Sequence, residues 1–206
     1  MAWSYEQKFN TLNDGDLNGQ DSWTGNGWQI QTTNKYEGAK GVAAEHTTSD
    51  FYADRTITGI SDGVVYLAMM RGTRTGDSNF RFILQEGANQ VADFWMRNDN
   101  KVYYHDGSLH ELGTFTDSVW GVAKITFDGS TDKIKYKWHN GTSWGTETDW
   151  VNAKTAFTNI DNLEIVSGWS SPGTYNDYFD TLTPTDPTGG GAVSTLTSLR
   201  LTGVGN

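Results

Sequence analysis

The sequence predicts an all-β protein built as an antiparallel β-sandwich. Its 206 residues include 24 Gly, 9 Trp, 9 Tyr and 9 Phe, among many Thr, Asn, Asp and Ser, and few runs of helix-forming residues, a composition typical of strands and turns. Short apolar segments alternate with turn-forming segments along most of the chain. The length suits one sandwich with one core and is too short for two ordinary domains and a linker.

The period-two pattern is clearest in two places. Residues 64–70, Val-Val-Tyr-Leu-Ala-Met-Met, are apolar on both faces, which predicts a central strand covered on both sides. Residues 123–127 and 134–138 each alternate apolar with Lys or Thr positions around Asp-Gly-Ser-Thr-Asp. This pattern predicts a hairpin with one buried and one solvent-facing side.

Further strands are predicted wherever β-branched and aromatic residues lie between turn signals, giving about ten in all. They cover residues 41–45, 51–57, 80–85, 92–97, 101–105, 163–166 and 178–182. In residues 150–157, Trp150, Ala153 and Phe157 could share a helical face, so we expect a short turn of helix at most.

Charge and composition exclude several classes of function. The net charge of -10 would repel phosphate and anionic headgroups, so we expect neither nucleic acid nor a membrane surface as a partner. No segment reaches the apolar length of a membrane span, and the N-terminal residues do not resemble a signal peptide, so we expect synthesis in the cytoplasm. The absence of Cys excludes disulfides, thiolate zinc sites and a cysteine nucleophile.

The pattern changes after Thr183. Residues 185–191 continue a Pro/Gly-rich stretch that begins at Pro184 and has the composition of a linker. Residues 192–206 are again strand-like, with Leu196, Leu199, Leu201 and Val204 as apolar positions. We therefore expect a sandwich over residues 1–184, a linker over 185–191 and an extended arm over 192–206 that adds to a neighbouring protein.

One segment resembles the start of a calcium loop. Asp14, Asp16 and Asn18 place three oxygen ligands at alternate positions before Gly19, but the twelfth position is Gly25 rather than Glu. Two interpretations follow: a calcium site completed by a distant carboxylate, Asp177 or Asp180, or an Asx-rich turn that satisfies itself.

Aromatic residues offer a second possible site, because sugar rings stack on exposed aromatic faces. Trp144, Trp169 and Tyr175 are the predicted carbohydrate-binding residues, with Trp23 and Trp28 as further candidates. The alternative is that these rings fill the core or cover the ends of the sandwich. Catalytic patterns are weak, because Glu147 and Asp149 lie in a turn region, Glu164 stands alone, and no histidine has a nucleophile motif beside it.

With its strands in order, the chain resembles the concanavalin A-like superfamily of lectins, glucanases and laminin G-type domains, which are jelly-roll sandwiches. Three segments carry the resemblance: residues 9–23, residues 36–42 and residues 176–182. It implies that the first and last strands lie side by side. The glucanase pattern E-x-D-x-x-E and the acidic metal loop of legume lectins are both missing, so the resemblance implies a non-catalytic member.

Two functions follow from these observations. The first is a virion surface subunit, such as a capsid decoration or tail-associated protein, which would be made in the host cytoplasm and form a homo-oligomer or larger assembly through the arm. The alternative is an extracellular carbohydrate-binding module that recognises a glycan.

Overall fold

In the computed structural model, residues 3–46, 50–75, 78–168 and 174–189 are described. Across these residues the chain is all-β, with fifteen strands in two antiparallel sheets and no helix. The predicted fold class is confirmed. The described residues contain no helix that could cross a membrane.

Six strands precede the first long hairpin of the chain, two form it and seven follow it. The strands are β1 (Gly15–Asp16), β2 (Trp23–Asn26), β3 (Gln29–Gln31), β4 (Gly41–His46), β5 (Phe51–Ile60), β6 (Asp62–Arg71), β7 (Asn79–Glu86), β8 (Asn89–Arg97), β9 (Lys101–His105), β10 (Leu109–Thr114), β11 (Gly121–Asp128), β12 (Lys133–His139), β13 (Val151–Asn152), β14 (Ile160–Gly168) and β15 (Tyr175–Thr183).

The two sheets stack face to face. One has eight strands in the order β1-β3-β4-β15-β6-β11-β12-β13, and the other has seven in the order β10-β9-β8-β7-β14-β5-β2. The predicted central strand is β6, which pairs with β15 on one side and β11 on the other. The predicted hairpin is β11 and β12, paired from Val122 with His139 to Asp128 with Lys133.

The opening and closing segments of the chain meet, as the family resemblance implies. Gln7 forms a bridge with Leu182 of β15. The ring of Phe179 lies 5.3 Å from that of Phe9 and 4.8 Å from that of Trp28, measured between centroids. Because these rings are buried between the sheets, the chain ends close the sandwich through apolar burial as well as through strand pairing.

A buried ion pair links the two sheets at one end of the core. Arg71 of β6 donates from Nε to Asp177 Oδ1 of β15 at 2.8 Å, and both side chains are shielded from solvent. Its remaining donors reach the seven-stranded sheet and the segment before it, at Ser78 and the Met96 carbonyl, while Ser167 Oγ donates to Asp177 Oδ2 at 2.6 Å. This pair is therefore fully hydrogen-bonded, as a buried charge pair must be.

The turn of helix expected over residues 150–157 is a wrong prediction. Val151 and Asn152 form β13 against β12, and the chain then turns, with Phe157 N donating to Asp132 Oδ1 at 2.7 Å. Pairing with an existing sheet edge satisfies the backbone better than one isolated helical turn, whose nucleation is unfavourable. The short strands β1, β2, β3, β10 and β13 were not predicted, because they contain few apolar residues.

The segment after β15 lies on the outer face of the eight-stranded sheet. Trp144 Nε1 donates to Thr188 Oγ1 at 3.0 Å, and Thr188 N donates to Asp186 Oδ1 at 2.9 Å. The predicted linker therefore contacts the sandwich over its first residues. The arm residues Leu196, Leu199, Leu201 and Val204 lie outside the described residues, so the arm stays a prediction.

Candidate functional site

The outer face of the seven-stranded sheet carries a row of charged and aromatic side chains. In β7 and β8 the core residues Phe80, Phe82 and Phe94 are fully buried, so the residues that alternate with them point away from the core. Cross-strand pairing then aligns Tyr103, Trp95 and Arg81 in one row. The adjacent row holds Asp93, Ile83 and Glu164.

Arg81, Asp93, Trp95, His105 and Lys154 form a connected group that we call the Arg81 cluster. Arg81 donates two hydrogen bonds to the Asp93 carboxylate, from Nη2 to Oδ2 at 2.6 Å and from Nε to Oδ1 at 3.1 Å. Its guanidinium lies 4.4 Å from the centroid of the Trp95 ring. The ring of His105 is stacked beside Trp95 at 6.1 Å. The geometry of Arg81 is therefore fixed by a bidentate ion pair and a cation–π contact.

A second cation completes the cluster. Lys154 Nζ lies 3.1 Å from Asp93 Oδ2 and 2.5 Å from Gln90 Oε1. Asp93 is wholly buried although it points away from the core, since the two cations lie against it. Two cations facing one carboxylate leave a local excess of positive charge in a protein whose net charge is -10.

One donor in this cluster has no acceptor. The Trp95 Nε1 atom is buried and has no hydrogen-bond partner among the described residues, and the same holds for Arg97 Nε in the next alternate position of β8. Buried N–H groups are nearly always satisfied in native proteins. Trp23 and Trp28 in the core also have an indole N–H without a partner among the described residues, so Trp95 Nε1 and Arg97 Nε differ from them by lying on the outer face of β8.

The titratable groups around the cluster are shifted towards their neutral forms. Burial, with the charge of Lys154 next, lowers the pKa of His105, so the imidazole is neutral at pH 7. Burial and then the neighbouring Asp54 carboxylate raise the pKa of Glu164, and burial raises that of Asp54. Asp54 and Glu164 are direct cross-strand partners on the same face, which explains their mutual repulsion.

The predicted calcium ligands do not come together. Asp16 Oδ1 accepts from Asn18 N at 3.0 Å, and Asp14 pairs with Lys40 Nζ at 2.9 Å. Asp180 is turned to the amides of Tyr36 and Glu37, at 2.9 and 3.1 Å. Within the described ranges no three His, Asp or Glu side chains are placed to hold a metal. The geometry therefore supports the alternative interpretation, a self-satisfying Asx turn.

The predicted sugar-stacking aromatic residues differ in their exposure to solvent. Tyr175 is only 2% exposed, so its ring is unavailable to a ligand, and this prediction is corrected. Trp23 and Trp28 are likewise core residues, at 0% and 1%. Trp144 is partly exposed on the other sheet, where its ring meets those of Tyr66 and His139. Trp169 lies outside the described residues.

The side chains considered as possible catalytic groups form hydrogen bonds or ion pairs with neighbouring residues. Glu147 Oε1 accepts from Lys124 Nζ at 2.6 Å. Glu164 Oε2 accepts from Gln85 Nε2 at 2.8 Å. His110 stacks on Tyr104 at 4.8 Å and contacts Asp106 at 2.9 Å.

Sequence reasoning missed the Arg81 cluster. Its signal was present, because Arg81 and Asp93 interrupt apolar runs with the period of a strand. A charged residue between two buried residues of a strand indicates the outer face of a sheet. The sequence does not show that β7 and β8 are neighbours, or that Arg81 and Asp93 form an ion pair between them.

Solved structures resemble this chain closely in backbone. A sialidase matches with a TM-score of 0.68 at 7% identity, over 88% of this chain and 18% of the sialidase. A carbohydrate esterase from the Shiga toxin-encoding bacteriophage phi24B matches with a TM-score of 0.62 at 16% identity, over 86% of this chain and 94% of the esterase. Peanut lectin matches with a TM-score of 0.52 at 10% identity, over 88% and 98%.

A GH131 β-glucanase catalytic domain from Podospora anserina also matches this chain, with a TM-score of 0.54 at 11% identity over 89% of each chain. A lectin and a glucanase therefore share the backbone fold of this chain, and this observation decides the fold. The fold is a concanavalin A-like sandwich. Concanavalin A-like folds host both enzymes and lectins, so the likeness at these identities concerns the fold. No family model and no curated protein matches the sequence.

This concanavalin A-like chain spans less than a fifth of the sialidase that it matches. It spans nearly all of the phage esterase and of peanut lectin. The sandwich itself is thus the common unit in all three.

Proposed function

We propose that this protein is a carbohydrate-recognition module that binds a glycan through the Arg81 cluster. Sugar hydroxyls donate and accept hydrogen bonds at once, so they are recognised by fixed planar donors and acceptors beside an aromatic ring. Arg81 and His105 supply such groups, and the buried Asp93 and the Trp95 ring hold Arg81 in place. The fold supports the proposal, because lectins are among the proteins that share it.

The observation that carries this proposal is the orphan donor of Trp95. Its Nε1 is buried and has no partner within the described part of the chain, and the Arg81 guanidinium lies 4.4 Å from the centroid of the same ring. A sugar oxygen at this place would accept from both groups. An unmet buried donor costs about 1–3 kcal/mol, so a ligand that satisfies it gains affinity.

The test uses a glycan array followed by calorimetry with the strongest ligand. Trp95→Phe removes the N–H and keeps a ring under Arg81, so we expect affinity to fall about three- to tenfold, corresponding to one hydrogen bond. Arg81→Gln removes the positive charge and the paired N–H donors of the guanidinium, so we expect the affinity to fall by more than about tenfold.

Lys101→Gln is the matched control. Lys101 lies on β9 of the same sheet and pairs with Glu111 at 2.6 Å in the solvent, so we expect its affinity to be unchanged. An array without binding, or an Arg81→Gln variant that binds like the unmodified protein, contradicts the proposal.

Binding without turnover is part of the same proposal. The sequence lacks the glucanase pattern E-x-D-x-x-E, and Glu164 Oε2 already accepts a hydrogen bond from Gln85 Nε2 at 2.8 Å. We expect no new reducing ends after prolonged incubation with the bound glycan. Their steady formation would instead assign the protein to the enzymes of this fold.

A second role, assembly on a virion surface, is proposed alongside sugar binding. The likeness to a bacteriophage esterase over 94% of that chain and the strand-like sequence of residues 192–206 support it. In this proposal the module is displayed on the virion, and the arm joins a homo-oligomer or capsid. If the source is not viral, we propose an extracellular location.

Truncation after Gly189 tests the assembly role. It removes the arm and keeps the hydrogen bond between Trp144 and Thr188. We expect light scattering to show an oligomer for the full chain and a monomer for the truncated one. A full chain that is monomeric at high concentration contradicts the assembly role and leaves the sugar-binding test unaffected.

A further inference from the structure

A cavity lies on the outer face of the eight-stranded sheet, where β6 begins and β11 ends. Its volume is about 490 Å³, and it is lined by Trp3, Asp62, Val64, Thr126, Asp128 and Trp150 among others. We call it the Trp150 slot. Volumes of about 300–1,000 Å³ are usual for small-molecule sites. The slot shares no residue with the Arg81 cluster, and the two lie on different sheets.

Trp150 is the aromatic wall of the slot. It is 45% exposed, the highest value among the exposed large hydrophobic residues of the described chain. Lys135 Nζ lies 5.0 Å from the ring centroid and is not among the residues that line the slot. An exposed indole that is anchored by a cation and borders a cavity offers a stacking surface for the apolar face of a ring.

Two carboxylates, those of Asp62 and Asp128, also line the slot. Asp62 and Asp128 are direct cross-strand partners, an arrangement of like charges that destabilises a sheet. Hydrogen bonds from Ser130 and Thr131 lower the pKa of Asp128, so it stays ionised. Lys133, its partner on the other side, donates instead to Asn152 Oδ1 at 2.6 Å.

The chemistry of the ligand follows from the Trp150 ring and the two carboxylates. An aromatic face favours a flat apolar surface, and neighbouring carboxylates favour groups that donate several hydrogen bonds. A pyranose ring combines both, with C–H bonds on its face and hydroxyls on its rim. The carboxylates would repel an acidic sugar, as would the net charge of -10.

From this geometry we propose that the Trp150 slot is a second carbohydrate subsite, selective for neutral glycans. The ring would stack on Trp150, and its hydroxyls would donate to Asp62 and Asp128. This subsite does not depend on the Arg81 cluster, so each of the two can fail alone. Two sites on opposite sheets would allow one molecule to bridge two glycan chains, which raises avidity on a polysaccharide.

The test measures binding of three neutral probes, cellohexaose, laminarihexaose and mannohexaose, by calorimetry in the Arg81→Gln background. That background weakens binding at the Arg81 cluster by more than about tenfold. We expect at least one probe to bind, Trp150→Ala to weaken it about five- to tenfold, and Asp128→Asn to weaken it about threefold or more. Polygalacturonate, an anionic polymer, should not bind at the slot.

Tyr52→Ala is the matched control, because Tyr52 is 44% exposed on the other sheet and its loss should change nothing. Trp150 is exposed enough that its variant should keep the melting temperature of the parent protein. The proposal is overturned if no neutral probe binds at about 10 mM, or if Trp150→Ala binds like its parent. Calcium binding that Asp128→Asn abolishes, without any sugar binding, would also overturn it and assign the carboxylates to a cation.

Discussion

Asp180 shows how one residue fixes two segments of this protein. It lies in β15 at a bulge, where Thr181 adopts a positive φ of 47°. Its carboxylate accepts from the amides of Tyr36, Glu37 and Thr181 at 2.7 to 3.1 Å. Burial nevertheless raises the pKa of Asp180 to about 7, so the folded protein favours the protonated carboxyl more than the unfolded chain does.

This pKa gives a pH dependence with a definite sign. The stabilising contribution of Asp180 is fully present below its unfolded value of 3.8 and is lost as pH rises through about 7. Asp180→Asn should cost about 1–3 kcal/mol near pH 4.5, because it loses acceptors, and the deficit should shrink by about pH 8.5. Denaturant unfolding of both proteins at the two pH values measures this, with exposed Asp16→Asn as control. A deficit that grows with pH would contradict the prediction.

Gly129 is required for a close approach of three loops. A Cβ atom there would lie 2.6 Å from the Thr158 carbonyl oxygen and 2.9 Å from that of Ser61. Gly129→Ala should therefore destabilise the protein by about 1–3 kcal/mol through overpacking. Gly145→Ala, whose nearest contact would be an ordinary 3.4 Å to the Trp138 carbonyl, should cost far less. Equal melting temperatures for the two variants would count against this account.

At the scale of elements, the pair of Arg71 and Asp177 lies on neighbouring strands of one sheet and hydrogen-bonds to β8 and β14 of the other. Asp177→Ala leaves a buried, uncompensated guanidinium, so we expect a loss of about 3–5 kcal/mol in the free energy of unfolding. The double variant Arg71→Met with Asp177→Leu removes both charges and should recover a large part of that loss.

The exposed pair of Lys101 and Glu111 is the control for this cycle. It joins β9 and β10 in solvent, where ion pairs contribute little to stability. Urea unfolding of the single and double variants gives the coupling energy of each pair. Similar small couplings for both pairs would show that the buried pair does not hold the sheets together.

At the scale of the whole molecule, the core that the described residues form precedes the segment that contacts Trp144. The buried cluster runs from Trp3 to Leu182, and the hydrogen bond from Trp144 to Thr188 attaches the next residues. The chain ending at Gly189 should therefore melt within about 2 °C of the full chain. A chain ending at Thr183 loses Pro184 and Thr188 and should melt lower. Calorimetry of the three chains measures both differences, and equal melting of the two truncated chains would refute the role of Thr188.

The sequence by itself determined the fold class, the central strand β6 and the hairpin of β11 and β12. Each rests on side-chain alternation, a local property that the backbone period reads directly. The meeting of the chain ends was also predictable, through the resemblance that residues 9–23 and 176–182 carry. The edge strands were not, since their few apolar residues leave pairing to the neighbouring strand.

Only the tertiary structure decided the site. Arg81 and Asp93 meet because β7 pairs with β8, and Lys154, 61 residues after Asp93, joins them because the segment after β13 passes beside them. Burial likewise separated Tyr175, a core ring, from Trp150, an exposed one. Side-chain chemistry is written in the sequence, but which rings face solvent and which charges become neighbours depends on the register of strands distant in the chain.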